Sequence, residues 1–285
     1  MEIEHISGNT YYMPGATSIG IYITDNYATI IDTGIDENNI RKVFNYLNER
    51  GIKINNVLNT HSHADHVGGN YFVEKKGISE FYASKTESIF IKNPYLISSQ
   101  MFGSLPPRFM MTKLIVPEKT NAEIKQNFPD IFRVIELPGH SWEMIGFITP
   151  DNVFFCADSL YSESIIEKHP LLFHLNTDEF LKTMEKVEKI HVDYYVLSHG
   201  GLMKNITVVK EKNIESMENI IDYILNLVPN YAENIYSSLL NEIKIKDLWE
   251  YFLNRVPFNS IITYLSHKDK IKISLMENKI FINKV

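Results

Sequence analysis

Three imidazoles and a carboxylate fall within six consecutive positions, His61, His63, Asp65 and His66, in the run Thr60-His61-Ser62-His63-Ala64-Asp65-His66-Val67-Gly68-Gly69. Buried together these groups would leave lone pairs and charge unsatisfied, so a fold must either give them to water or gather them around a cation. The residues before them, Ile52-Lys53-Ile54-Asn55-Asn56-Val57-Leu58-Asn59, alternate and are rich in β-branched side chains, which predicts a strand ending just short of the histidines. Alternation puts His61 and His63 on one side of an extended backbone, while Asp65 and His66 follow the start of a turn and face a second point. Two metal ions about 3.5–4 Å apart would need that arrangement.

Three more candidate ligands each follow a predicted strand. Residues 131–137 lead into Pro138-Gly139-His140-Ser141, where proline and glycine force a turn that leaves the histidine at the strand edge. Residues 152–157 lead into Asp158, a carboxylate that would be poorly solvated after so apolar a strand unless cations paired it. Residues 192–197 lead into Ser198-His199-Gly200-Gly201.

With H-x-H-x-D-H at 61–66, P-G-H-S at 138–141, A-D at 157–158 and S-H-G at 198–200, the chain resembles the metallo-β-lactamase fold superfamily. The resemblance implies an α/β fold, an αββα sandwich of two mixed sheets covered by helices, over about residues 1–205. It also implies that His61, His63 and His140 hold one divalent ion and Asp65, His66 and His199 a second, with Asp158 bridging. Zinc is the first expectation, and iron or manganese suits the same donors. Asp65 gains a catalytic role, orienting the attacking metal-bound hydroxide, and Asp32 would support the ligand loops through hydrogen bonds. From the residues alone a turn or capping role for Asp32 is equally open. One departure concerns substrate: Trp142-Glu143-Met144 stands where the family's hydrolases often continue with a second Pro-Gly-His.

Elsewhere, strands at 2–6, 10–13, 17–24 and 27–33 form an opening meander, and Asp36 caps a helix over 37–50. A short helix to Lys76 and a strand at 79–83 precede residues 85–130, which read as an irregular cover segment interrupted by prolines, with Met and Phe that either line an apolar substrate pocket or pack beneath the loop. After strands at 144–149 and 152–157, a helix is expected over 177–190 with Phe180, Leu181, Met184 and Val187 as its apolar stripe. From residue 206 to 285 the chain turns helical, with helices at 207–228, 231–243, 246–254 and 257–267 and a closing hairpin, an order that resembles a winged-helix module. Cys156 reads as a small packed hydrophobe, and His169 and His174, in an unpatterned loop between ligands, read first as surface or core histidines and second as substrate contacts.

A net charge of -7 argues against a surface built for nucleic acid or anionic membrane. No apolar run approaches the roughly 20 residues that span a bilayer. The single cysteine and an N-terminus without a basic stretch followed by an apolar one predict a cytoplasmic protein. The expected activity is hydrolysis of a small ester, thioester or lactone, similar to glyoxalase II, with a phosphodiesterase or nuclease as the rival reading. His63 speaks against the flavodiiron proteins of the same fold, which carry Glu there, and a non-enzymatic binding protein would be expected to lose ligands, of which all seven are present.

Overall fold

The computed structural model describes residues 2–245 and 247–285. Four antiparallel strands open it: β1 (Glu4–Ser7), β2 (Thr10–Met13), β3 (Ile19–Thr24) and β4 (Tyr27–Ile31). Helix α1 (Glu37–Asn48) starts at Asp36, whose carboxylate accepts from the Asn38 amide, and buries Ile40, Val43 and Leu47 on one stripe. The chain then adds β5 (Lys53–Leu58), the short helices α2 (Ala64–Val67) and α3 (Asn70–Lys75), β6 (Glu80–Tyr82), α4 (Lys85–Lys92), α5 (Tyr95–Phe102) and β7 (Ile124–Lys125). These strands make one sheet in the order β1-β2-β3-β4-β5-β6-β7, antiparallel up to β4 and parallel beyond it.

A second sheet is built from β8 (Arg133–Glu136), β9 (Ile145–Ile148), β10 (Val153–Phe155), β11 (Tyr194–Leu197) and β12 (Gly201–Met203), with α6 (Glu163–Lys168) and α7 (Thr177–Glu188) between β10 and β11. Period-two alternation assigns the layers. Ile30 of β4 faces α1, whereas its neighbour Ile31 joins Phe147, Phe155 and Val196 between the sheets. Phe154 and Leu197 face outward onto α7 through Phe180, Met184 and Val187. The result is the αββα sandwich expected, with its central layer closed by apolar side chains from both sheets.

The remaining elements are α8 (Thr207–Asn226), β13 (Asn230–Tyr231), α9 (Ala232–Glu242), α10 (Leu248–His267), β14 (Ile271–Met276) and β15 (Lys279–Lys284), with strand order β13-β15-β14. Helix, strand, two helices and a hairpin follow the winged-helix order. Its core is continuous with the outer face of the second sheet, since Phe258, Ile261 and Ile282 share one buried cluster with Phe154 and Leu197.

Two expectations need correction. Residues 85–130 are not irregular throughout: α4 and α5 occupy much of the first half, and the loop proper begins near Gly103. Nor does a helix end before Pro257, because α10 runs unbroken through it from Leu248 to His267. An interior proline costs roughly 3 kcal/mol, but burying Phe258, Ile261, Ile262 and Leu265 on one face returns about 1.5–3 kcal/mol for each, so packing outweighs the break. No helix among the described residues is long and apolar enough to cross a membrane.

Candidate metal centre

Strand register fixes where the candidate ligands emerge. Ile31 pairs with Leu58, so Asp32 and the Thr60-His61 turn leave the first sheet at one end; Phe155 pairs with Val196, so Asp158 and His199 leave the second sheet together. The two edges are stitched where they meet, Ser18 N donating to Ser198 O at 2.9 Å and Ile145 N to Thr60 O at 3.0 Å. Delivering side chains there strains the backbone: Asp32 has φ 60° and Ala157, just before Asp158, has φ 51°. Such left-handed residues cost on the order of 1–3 kcal/mol and persist where surrounding structure dictates them. Glycine is required where loops pass close to helices. At Gly139, with φ +122°, a Cβ would meet Phe180 N at 2.3 Å, and at Gly68 it would meet Ile35 O at 2.0 Å.

All seven sequence-predicted residues come together. Donor atoms of His61, His63 and His140 form one group, those of Asp65, His66 and His199 another, and His61, His66 and Asp158 a third that overlaps both, each within 4.8 Å internally. Nδ1 of His63 lies 3.0 Å from His61 Nε2 and 2.8 Å from His140 Nε2. Asp158 reaches both sides, with Oδ2 3.4 Å from His140 Nε2 and 3.2 Å from His199 Nε2, and Oδ1 3.2 Å from His66 Nε2. Oδ2 of Asp65 is 3.2 Å from His199 Nε2.

Four of the five rings have a partner for their outer nitrogen. His66 Nδ1 donates to Asp32 Oδ2 at 2.7 Å. His61 Nδ1 donates to Thr60 Oγ1 at 3.0 Å, and that hydroxyl donates on to Asp32 Oδ2 at 2.7 Å. His140 Nδ1 donates to the Phe173 carbonyl at 3.0 Å and His199 Nδ1 to the Ala16 carbonyl at 2.6 Å. With those protons committed outward, the inward nitrogens of neutral rings carry lone pairs, and a single proton could serve at most one of the two contacts at His63 Nδ1. His66 Nε2 and Asp158 Oδ1 are buried 3.2 Å apart, yet neither has a hydrogen-bond partner among the described residues. Converging lone pairs and orphaned buried polar atoms are what a cation would satisfy, and the N/O donor set suits a divalent transition metal.

Charge divides the cluster. Burial holds His61 well below the usual histidine range, His63 down to about 4 and His140 to about 3, so these rings are neutral at pH 7. On the other side burial also opposes the charged forms, but the carboxylates outweigh it. Asp158 and Asp65 push His199 up to about 10, and Asp158, Asp32 and Asp65 raise His66. The two carboxylates, despite burial, are held low by His66 and His199.

Several residues that sequence reasoning did not single out complete the site. Glu87 of α4 is fully buried and accepts from Ser62 N and Oγ at 3.0 and 2.5 Å, Ser141 Oγ at 2.8 Å and Glu143 N at 3.0 Å, tying the H-x-H loop to the Pro-Gly-His loop. Thr17 Oγ1 donates to Asp65 Oδ2 at 2.9 Å. Tyr161 Oη lies 2.9 Å from His140 Nδ1 and its ring stacks on His199 at 17°. Of these, only the turn-forming residues around Ser141 carried any local signal. Asp32, open between two roles, is the loop support just described. Cys156 is buried, as a packed hydrophobe would be.

Above the ligands lies a cavity of about 460 Å³. Its floor is His63, Asp65, His140, Asp158, Tyr161 and His199; its roof comes from Ile97 and Met101 of α5, Leu114, and Trp249, Leu253 and Pro257 of α10. The alternatives for residues 85–130 are thus divided: Met101 lines the cavity, Met110 packs beneath the loop, and Phe109 is exposed. His169 lines the cavity too, whereas His174 is core, bonded to Leu172 O and Thr177 Oγ1 at 2.8 Å each.

Comparison with known proteins agrees with this geometry. The sequence profile described as the metallo-beta-lactamase superfamily matches residues 12–199. A protein named hydroxyacylglutathione hydrolase from Shewanella loihica is 27% identical over 180 residues, 60% of this chain and 60% of the relative, so the chain spans less than two thirds of that relative's length. A metallo-beta-lactamase family protein from Thermus thermophilus superposes with a TM-score of 0.70 at 15% identity, covering 97% of this chain and 99% of its own. A beta-lactamase domain protein from Burkholderia ambifaria gives 0.72 at 16% identity, covering 100% and 94%. Both likenesses extend the shared fold through the C-terminal helices.

Proposed function

The chain belongs to the metallo-beta-lactamase superfamily, and from that premise we propose that it is a dinuclear metal-dependent hydrolase of a small carboxylic ester, thioester or lactone, acting in the cytoplasm. One observation carries the reading: seven metal-type donors cluster at the base of a largely apolar cavity, five of them on its floor and His61 and His66 buried behind, with Asp158 within reach of both ligand groups. His61, His63 and His140 would hold one ion and Asp65, His66 and His199 the other, with Asp158 between them. Two divalent ions there would make water acidic enough to attack at neutral pH and would stabilise developing negative charge on the carbonyl oxygen.

The protein's own residues do the rest. Asp65, fixed by Thr17 Oγ1, would orient the attacking water through its carboxylate. Asp32 and Thr60 hold the His61 and His66 rings with their bare nitrogens inward. Burial raises the Tyr161 hydroxyl, so it stays protonated; as His140 Nδ1 can share its proton with Tyr161 Oη, the phenolic hydrogen is free to donate to an oxyanion in the cavity. The apolar roof excludes water and favours a carbonyl substrate with an apolar part over a phosphodiester strand. The similarity to hydroxyacylglutathione hydrolases supports thioester chemistry.

Turnover of thioesters, lactones, esters, bis-nitrophenyl phosphate and short RNA by metal-loaded protein tests the assignment, with Asp65→Ala as control. Carbonyl hydrolysis that the control loses is the expected result. Cleavage of RNA or phosphodiester alone, also lost in the control, would replace this reading with the nuclease one.

A further inference from the structure

The cavity's chemistry narrows the substrate further, an argument that rests on the hydrolase reading above. Away from the candidate ligands the apolar part of its wall includes Ile97, Met101, Leu114, Trp249, Leu253 and Pro257, contributed by α5, the following loop and α10, and its uncharged polar groups are Tyr161 and Asn254. The protein has 28 lysines and arginines, yet none is among the described residues that line this cavity. The one lining carboxylate outside the ligand set is Glu250, half-buried on the first turn of α10. Its closest cationic-type partner among the described residues is His169 Nδ1 at 3.8 Å. Burial lowers His169, so at neutral pH that ring leaves the Glu250 charge largely uncompensated.

A ligand carboxylate or phosphate entering this space would lose hydration, find no lysine or arginine among the described lining residues, and meet a fixed negative charge. A methylene chain would lose only water. We infer that the space between α5 and α10 is an acyl-binding pocket for a neutral, apolar acyl ester or thioester, and that it selects against acidic conjugates such as glutathione thioesters, which carry two carboxylates. The loop beyond α5 continues the apolar surface: Leu114 both lines the cavity and is 38% exposed, and Leu105 and Phe109 lie exposed in the same segment. A longer chain could therefore run outward along it.

The test is a series of neutral N-acetylcysteamine thioesters from acetyl to octanoyl, together with lactoylglutathione, on the metal-loaded protein. Each methylene that enters the pocket should raise kcat/KM by up to about fourfold. We expect octanoyl to exceed acetyl by at least about 100-fold and to exceed lactoylglutathione. Leu253→Asp should flatten the chain-length slope, and Glu250→Lys should shift the octanoyl to lactoylglutathione ratio toward the anionic substrate by about tenfold. Among the described residues Glu250 makes no other side-chain bond, so this second variant probes charge without removing packing. Preference for lactoylglutathione, or a slope that survives Leu253→Asp, would overturn the acyl-pocket proposal while leaving the hydrolase reading intact. Absence of all thioester hydrolysis beside active cleavage of phosphodiesters would overturn both.

Discussion

The floor and the roof of the cavity are built on opposite principles. The floor is polar, buried and redundantly held: each of four histidines has its outer nitrogen fixed by a carbonyl, hydroxyl or carboxylate, and Asp32 alone serves Thr60 N, Thr60 Oγ1 and His66 Nδ1. The roof is apolar and comes from elements distant in sequence. Chemistry tolerates little displacement of donor atoms, so the floor sits on strand ends locked by two sheets, whereas recognition of an apolar group requires only area and exclusion of water. The floor therefore sets which reaction is possible and the roof which molecule undergoes it.

Changes to the floor should strike metal content and turnover together. Asp158→Ala removes the carboxylate that reaches both ligand groups and leaves two cations facing neutral imidazoles and a single carboxylate, so activity should fall by about a thousandfold with loss of metal. Retention of both ions and full turnover would show that Asp158 does not bridge. Asp32→Ala, one layer out, should cost about 10–100-fold in metal affinity or activity, because His66 loses its acceptor and the Thr60 hydroxyl that holds His61 loses the carboxylate that orients it. An Asp32 variant with wild-type metal affinity would mean that the rings are held by packing alone.

Between floor and roof lies a joint. His174 bonds Thr177 Oγ1, which lies 2.9 Å from Ser260 Oγ of α10, so the core beneath the ligands is tied to the helix above them. Burial pushes His174 down to about 4, against 6.5 for the unfolded chain. The unfolded chain thus takes up the extra proton between these values; the stability His174 contributes is complete above pH 6.5 and declines as pH falls toward 4. At pH 5 the difference is about 2 kcal/mol. Denaturant melts of the metal-loaded protein at pH 7.5 and 5, designed about the histidine range, should show His174→Gln losing less stability on acidification than the parent. Equal losses would place His174 outside that linkage. The smallest effect is expected in the roof itself, where Met101→Ala should raise KM a few-fold for an apolar substrate with metal content unchanged. A loss of metal in that variant would dissolve the distinction between the two surfaces.

The same contrast governs what could be read from the amino acids. Floor residues announce themselves because their chemistry is local: His61, His63, Asp65 and His66 fall within six positions, His140 follows a strand through a Pro-Gly turn, and Asp158 and His199 each follow an apolar strand that a charged or polar residue would not otherwise terminate so abruptly. The alternation that sorted Ile30 from Ile31 into separate layers is equally local. Supports are not. Glu87 meets Ser62 across 25 residues and Ser141 across 54, a pairing that no periodicity encodes. Pro257 suggested a helix end that burial of the neighbouring apolar face overrides, and the roof formed by α5 and α10 exists only once both have docked. Propensity reports local preference, whereas the cover of this site depends on distant partners.

Metal stoichiometry tests the account most directly. Protein purified without chelator, or reconstituted with zinc, iron or manganese and freed of excess ion, should contain two ions per chain by elemental analysis, the expectation from two donor groups with Asp158 within reach of both. One ion or fewer per chain, with no further uptake on reconstitution, would contradict the dinuclear centre.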